Sequence, residues 1–473
     1  MIKNILLAFL VGNGMLYAQS GQIKGYVYAN ESPLVNTRVE ISNLNIETKT
    51  DSIGYFNFEQ LPKAEVQLII SHPGYSTYTH SFTVGNQEVA ELNVELSEDY
   101  LELEGIVITA NRKEVPIYKA PVIVSRINNK TFETTQSLSL SESLNYAPGL
   151  RMENNCQNCG FNQVRMNGLE GPYSQILVNS RPIFSPLMGI YGLDMLPTSM
   201  IDRVEVVRGG GSALYGGSAI AGTINIITKE PIKNSFSIGT NLAFTNYKTP
   251  DRTINVTGSL VSDDLNKGIS FYAYNRERKP WDANDDGFSE QTLLKNTTFG
   301  FDSFWDISDR SKLKLNAFNI NEFRRGGNKF DLPAHQTDVT EQLDHKLLGG
   351  SISFETFSND YSQKFSVFAS AQNGERNSYY GGGGRILTEE DQLTPEDITA
   401  INAYGKSNDI SMIAGTQYAN EFNEKYTLTT GIEYQVNKVD DQMPGYNPAL
   451  DQKVDVLGAY GQMEWKPIEK LTV

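Results

Sequence analysis

Two cysteines, four histidines and three tryptophans in 473 residues leave little room for several kinds of chemistry. Cys156 and Cys159 are too few for a disulfide scaffold. His72, His80, His335 and His345 stand in no Ser-His-Asp order and in no zinc motif, and no pair of carboxylates carries a supporting catalytic motif. The chain therefore does not read as an enzyme. Past the first twenty positions there is no run of about 18 apolar residues, which excludes a helical membrane protein. It does not exclude a membrane β-barrel, whose strands are only half apolar. Positive charge is also short: 40 Lys and Arg face 56 Asp and Glu, a net charge of −16, which argues against binding nucleic acid.

Small residues are abundant in one place. Residues 201–231, IDRVEVVRGGGSALYGGSAIAGTINIITKEP, predict two short apolar strands, 204–207 and 223–228. Between them run Gly209, Gly210, Gly211, Ser212, Gly216, Gly217, Ser218 and Gly222, a density suited to backbone with φ > 0 or in close approach to a wall. Upstream stand LSESLNYAPGL and VRMNGLEGPYSQILVNSRPI. The first predicts a helix over 139–146, with Ser139 or Ser141 as cap and Pro148 and Gly149 as stop. In wording and order these stretches resemble the plug domain of TonB-dependent outer-membrane receptors. One departure is Asn179-Ser180, where that family usually places Asp-Gly; Asn tolerates φ > 0, so a tight turn is still expected. The resemblance implies an energised import gate inside a barrel, with no covalent chemistry.

The first residues predict a secretory signal: Lys3, an apolar core over 5–11, and Ala18 at the cleavage position, with a mature start near Gln19. From 19 to 98, apolar residues alternate in six or seven short segments about ten residues apart, which predicts a small β-sandwich. QIKGYVY, PLVNTRVEI, TDSIGYFNFEQLP and ISHPGYSTY there resemble the carboxypeptidase regulatory-like domain. His72 and His80, without clustered thiols or carboxylates, read as surface or packing residues. Next comes LELEGIVITA, 101–110, then a charged stretch, 111–117, expected to be mobile. Position and ending resemble the TonB box, which implies that Glu104, Ile106, Val107, Ile108 and Thr109 contact a TonB-type energising protein in the periplasm by β-augmentation. The alternative is an ordinary linker strand packed on its own plug.

From 232 to 473 the period is two. Leu313, Leu315 and Ala317 alternate with Lys312, Lys314 and Asn316; Phe365, Val367 and Ala369 alternate with Ser366 and Ser370, with Phe368 the exception. Short polar turns near 262–266, 309–310, 359–360, 423–425 and 467–469 alternate with long linkers near 279–292, 324–340, 377–406 and 437–452, the habit of outer-membrane barrels. About ten strands are expected, with another starting at Leu471, against 22 in plugged transporters, so the chain reads as roughly the N-terminal half of a receptor. A half-barrel would leave strand edges unpaired in lipid. The expected architecture is mainly β: signal 1–18, sandwich 19–98, box-like segment and linker 101–117, α+β plug 118–231, and antiparallel transmembrane barrel strands 232–473.

Ligand chemistry concentrates in RMENNCQNCGFNQVRMNG, 151–168. By the resemblance this loop faces outward and touches substrate, placing Cys156, Cys159 and Asn162 where ligand arrives. Three readings stay open: a small disulfide stiffening the tip, a soft-metal or haem contact with Met152 and Met166 as further sulfur ligands, or free thiols. C-x-x-C alone is a weak metal signal. A second outward loop, 184–196, offers Met188, Tyr191 and Met195 as a ligand floor or as packing against the wall. Asp282, Asn284, Asp286 and Gly287 spell the first half of a calcium loop, but Leu293 stands at the twelfth position; either Glu290 completes a weak site or the loop is merely acidic. Gly381 to Gly384 lacks the context of a phosphate loop and reads as a flexible lid segment. Arg165, Arg181, Arg203 and Arg208 are candidates for pairing with wall glutamates or for ordinary surface pairs.

The resulting expectation is a receptor in the cell outer membrane that takes up an iron–siderophore complex or cobalamin. Its partners would be a TonB-type protein, outer-membrane lipid and a small nutrient complex, with no cofactor and no nucleic acid. Uptake of copper or haem through the cysteine loop, and a surface binding module without transport, are the alternatives.

Overall fold

Alternating apolar residues over the first hundred positions close into two four-stranded sheets. In the computed structural model the described residues are 21–473 apart from 31, 45, 73–74, 86–88, 98–104, 111, 113, 118–119, 157, 183–188, 210–211, 424, 447–448, 469–470 and 472–473. The expected secretory signal lies outside them. The chain divides into two units, Met1–Leu101 and Glu102–Val473. In the first, Gly21–Ala29 pairs with Ser32–Pro33, Tyr55–Leu61 and, in parallel, Val89–Glu95. The second sheet runs Ile46–Lys49, Arg38–Ile41, Glu65–Ser71, Tyr78–Thr83. Ile23, Val27, Val39, Ile41, Phe56, Leu68 and Ile70 fill the space between the sheets. His72 bonds Thr37 Oγ1 at 3.0 Å, and His80 stacks between Tyr78 and Phe82, so both histidines serve packing.

The plug is built on a four-stranded sheet ordered Val124–Asn128, Ile201–Arg208, Gly222–Thr228, Ser174–Val178. Near-continuous apolar runs are what such a sheet needs when both faces are covered. A separate hairpin pairs Leu150–Cys156 with Phe161–Met166. The helix Leu140–Leu144 is shorter than its pattern suggests; Ser139 holds the cap position, but its hydroxyl bonds Ser141 rather than a backbone N–H. Asn179 and Ser180 both adopt left-handed φ, +49° and +65°, and close a tight turn between Val178 and Arg181. The departure from Asp-Gly is thus accommodated: Asn179 exchanges two hydrogen bonds with Thr228, and Asn225 Oδ1 accepts from Ser180 N at 2.8 Å.

Ten antiparallel strands follow in sequential order, from Ser235–Thr245 to Ala449–Trp465. Strands extend further into the long linkers than the pattern indicates, for example Gln363–Gly382 and Tyr404–Asn423. One connection carries its own helix, Pro395–Asn402, capped by Thr394 and Asp397. Outward positions are large and apolar, among them Phe299, Leu348, Ile352, Phe365 and Met412, while inward ones are polar, among them Ser366, Ser370, Gln372 and Arg376. That alternation is the pattern a barrel strand needs to set an apolar face outward and a polar face inward. Phe368 breaks the sequence pattern for a local reason: it is 3% exposed, against 41% for Val367, and its ring lies 3.4 Å beneath the Arg181 guanidinium of the plug. No helix among the described residues is long and apolar enough to cross a membrane.

The glycine run is spatially necessary at one point in particular. Gly222 has φ +148°, and a Cβ there would stand 2.1 Å from the Val207 carbonyl oxygen and 2.4 Å from Met166 Sδ. Gly217 has nothing within 4 Å. Gly222→Ala is expected to cost about 1–3 kcal/mol or more through overpacking, whereas Gly217→Ala should be neutral or gain about 0.4–1 kcal/mol through the unfolded chain. Melting of the full chain in detergent, with protease cutting of the plug as readout, separates the two; equal losses would refute the assignment.

Candidate functional site: the seam between plug and wall

The segment just ahead of the plug is held by one carboxylate. Ile106–Val107 forms a two-residue bridge to Val115–Pro116, and Val107 packs on Ala110, Val124 and Val207. Beyond it the backbone leaves regular pairing, so its polar groups need other partners. Glu205, fully buried on the plug strand Ile201–Arg208, accepts from Ile108 N at 2.8 Å, Thr109 N at 2.9 Å and Thr109 Oγ1 at 2.7 Å. Its other oxygen takes Arg203 Nε at 2.8 Å. Asn225 donates to Thr109 Oγ1, and Tyr215 donates to the Thr109 carbonyl at 3.1 Å. Burial pushes Tyr215 up to about 12, so its hydroxyl stays a donor. Residues 105–110 are therefore packed on their own plug. Glu104 lies outside the described residues.

In the stretch expected to be mobile, Arg112 is anchored. Arg112 is buried, with left-handed φ of +57°. Its guanidinium pairs with Glu433 of the wall, donates to the Leu214 carbonyl and to Tyr460 Oη, and lies between the Tyr215 and Tyr460 rings, 4.6 and 4.5 Å from their centroids. Burial opposes its charge, but Glu433 and the two tyrosines outweigh that and hold it above the ordinary arginine range. Nothing in the sequence singles out this plug-to-wall pair. Of the four plug arginines that the sequence does single out, Arg165 pairs with Glu153, Arg203 with Asp202 and Glu205, and Arg181 stacks on Phe368. Burial and the neighbouring Arg112 lower Arg181 to about 10. At the plug exit Glu230 bridges Lys312 and Lys314 of the wall, each at 3.2 Å.

At the other end of the plug, the structure separates the expected ligand residues into two groups. Asn162 lines a cavity of about 220 Å³ with Ser139, Ser141, Asn145 and Asp194 of the plug and Arg276, Arg278 and Arg324 of the wall. Its amide donates to Asp194 at 2.7 Å. Tyr191, on the helix Gly189–Met195, is buried between Phe161, His345 and the Arg324 guanidinium, and with Met195 it joins the packed core shared with the wall. Met188 lies outside the described residues. His345 carries no signal in sequence; neither of its ring nitrogens has a hydrogen-bond partner among the described residues, and Glu322 stands 4.0 Å away. Only its tertiary setting sets it apart.

The second group is Cys156 and Cys159. Both stand as thiols near the tip of the hairpin. Cys159 N donates to Cys156 Sγ at 3.2 Å, and Cys156 Sγ donates to Glu341 of the wall at 3.0 Å. Burial raises both thiols above the ordinary range. In the exposed loop, Asp282, Asp286 and Glu290 bring carboxylates within 4.8 Å of one another, and the Asn284 amide donates to Asp286 at 3.0 Å. Asp282 accepts from Asp285 N and Gly287 N, both at 2.7 Å, and Asp286 from Phe288 N at 2.8 Å, so these carboxylates also cap the turn.

A mixed sheet is thus seated on the polar face of a long antiparallel wall whose other face is apolar. Residues 116–223 match the TonB-dependent Receptor Plug Domain family and residues 23–108 the CarboxypepD_reg-like domain family. The chain is similar to the vitamin B12 transporter BtuB of Vibrio vulnificus, 24% identical over 353 residues, covering 72% of this chain and 51% of that protein. It is also similar to BtuB of Photobacterium profundum, 26% identical over 215 residues, covering 43% and 34%. Among solved structures, the siderophore receptor PirA from Acinetobacter baumannii superposes with a TM-score of 0.59 at 16% identity, covering 73% of this chain and 55% of that one. A ferric enterobactin receptor mutant from Pseudomonas aeruginosa gives 0.57 at 14% identity, covering 73% and 56%. Residues 116–223 are thus similar to a TonB-dependent receptor plug, and the chain spans about half or less of the length of the curated relatives it matches.

Proposed function

We propose that this chain forms the gate of an energised uptake receptor for an iron–siderophore complex or cobalamin. The observation that carries the reading is the Glu205 clasp: a short segment ahead of the plug is held by side-chain bonds that a pull on the backbone can break one by one. A TonB-type protein would take residues 104–109 as an added strand, exchanging the bonds to Glu205 for main-chain bonds. The strain would pass along the chain to Arg112 and Tyr215 and so to the wall. The Asn162 cavity, with three arginines and the carboxylates of Glu142 and Asp194 around it, is a polar space between plug and wall; at about 220 Å³ it would meet one oxygen-rich group of such a complex rather than enclose the whole. The names of the similar proteins, vitamin B12 transporter and siderophore receptor, support these two substrate classes. The division at 19–98, 101–117, 118–231 and 232–473 belongs to the same proposal.

Deleting residues 103–110 in the intact receptor is expected to abolish cellular accumulation of cyanocobalamin or of radiolabelled ferric siderophore while leaving surface binding of the same ligand within about twofold. Uptake that persists after the deletion refutes the energised segment. Binding of neither ligand by the unaltered receptor refutes the substrate class.

A further inference from the structure

Cys156, Cys159 and Glu341 play no part in the clasp or the cavity described above, yet they converge. One donor atom from each lies within 4.8 Å of the other two. The two thiols come from the plug hairpin and the carboxylate from the wall strand Val339–Phe357. Gly160, at φ +61°, turns the chain back directly after the second cysteine, and the Cys159 N–H points at the first sulfur. An N–H aimed at sulfur stabilises a thiolate once a cation draws off its proton. Zinc with bonds of about 2.3 Å to sulfur and about 2.0–2.2 Å to oxygen holds tetrahedral ligand atoms roughly 3.5–3.8 Å apart, so the three donors need to move by about 1 Å or less.

We propose that Cys156, Cys159 and Glu341 bind one Zn²⁺ that joins the plug hairpin to the barrel wall, with water in the fourth position. Binding releases the two thiol protons to solvent, and the ion gains two thiolates and one carboxylate. The carboxylate favours zinc over copper(I), which prefers sulfur alone. The ion is resident rather than cargo: Cys159 is 6% exposed, and the third ligand belongs to the wall, so the site grips across the seam instead of opening to an arriving complex. The proposal does not depend on transport.

The test is metal titration of the full chain, purified in detergent and stripped with chelator. Co²⁺ is expected to bind one per chain with a thiolate-to-cobalt charge-transfer band, and Zn²⁺ to displace it. Cys156→Ser should remove the band. Glu341→Gln, which leaves the hairpin untouched, should weaken Zn²⁺ by at least tenfold to a hundredfold, about the loss seen for outer-shell partners. The proposal is overturned by the absence of bound metal in the unaltered chain, by an affinity unchanged in Glu341→Gln, by binding of Cu(I) without Zn²⁺, or by an intact mass two hydrogens short, which marks a disulfide. Binding is measured on purified protein and uptake in cells, so failure of one leaves the other standing.

Discussion

Glu205→Ala is expected to free residues 105–110 from the plug while the plug sheet stays folded. The carboxylate is fully buried and serves four donors: Ile108 N, Thr109 N, Thr109 Oγ1 and Arg203 Nε. Alanine leaves them without an acceptor in a site closed to water, and removing one member of a buried pair costs about 3–5 kcal/mol. Arg203 keeps Asp202 at 2.8 Å, so the loss falls mainly on the segment. At about 1.4 kcal/mol per factor of ten, amide exchange at Ile108 and Thr109 should accelerate by roughly two to three and a half powers of ten. Protection at Val206 and Ile224, held by the sheet ladder, should change little. Glu205→Gln, which keeps one oxygen acceptor, should fall between. If Val206 and Ile224 lose protection as much as Thr109 does, Glu205 is a core member of the plug and not a clasp, and the release step loses its physical basis.

Why the sequence discloses some of this and not the rest follows from how local each signal is. Leu313, Leu315 and Ala317 alternate with Lys312, Lys314 and Asn316, a period-two change of polarity within six residues, and the wall strands are legible for that reason. Gly222 and Asn179 are visible as positions with special backbone needs, because φ is a property of one residue. Phe368 is an exception to the alternation until Arg181, far earlier in the chain, is seen to lie on its ring. Cys156 and Cys159 are legible as a pair, but the third donor, Glu341, is 185 residues away from Cys156 and carries no motif. Arg112 reads as part of a charged mobile stretch because Tyr215, Glu433 and Tyr460 come together only when wall and plug meet. Site residues whose partners are distant in sequence leave no periodic or compositional trace.

Arg112→Met is expected to break the tightest side-chain link between the plug entry and the wall. Methionine fills part of the slot between Tyr215 and Tyr460, but it leaves Glu433 as a carboxylate without its guanidinium and the Leu214 carbonyl without a donor. The loss should again be about 3–5 kcal/mol, felt as faster exchange over 105–117 and earlier melting of the plug against the wall. The left-handed φ at position 112 costs arginine and methionine alike, about 1–2 kcal/mol, so it drops out of the comparison. Arg112→Lys keeps the charge but cannot reach Glu433 and Leu214 together while stacked between two rings, so it should recover less than half of the loss. The decisive measurement is a double-mutant cycle with Glu433→Gln. If Arg112 and Glu433 act as one link, the double variant loses clearly less than the two single losses added together, by about 1–3 kcal/mol. Strict additivity would mean that the guanidinium is held by the tyrosines and the Leu214 carbonyl alone, and tension on the segment would then reach the wall through Tyr460 rather than through the ion pair.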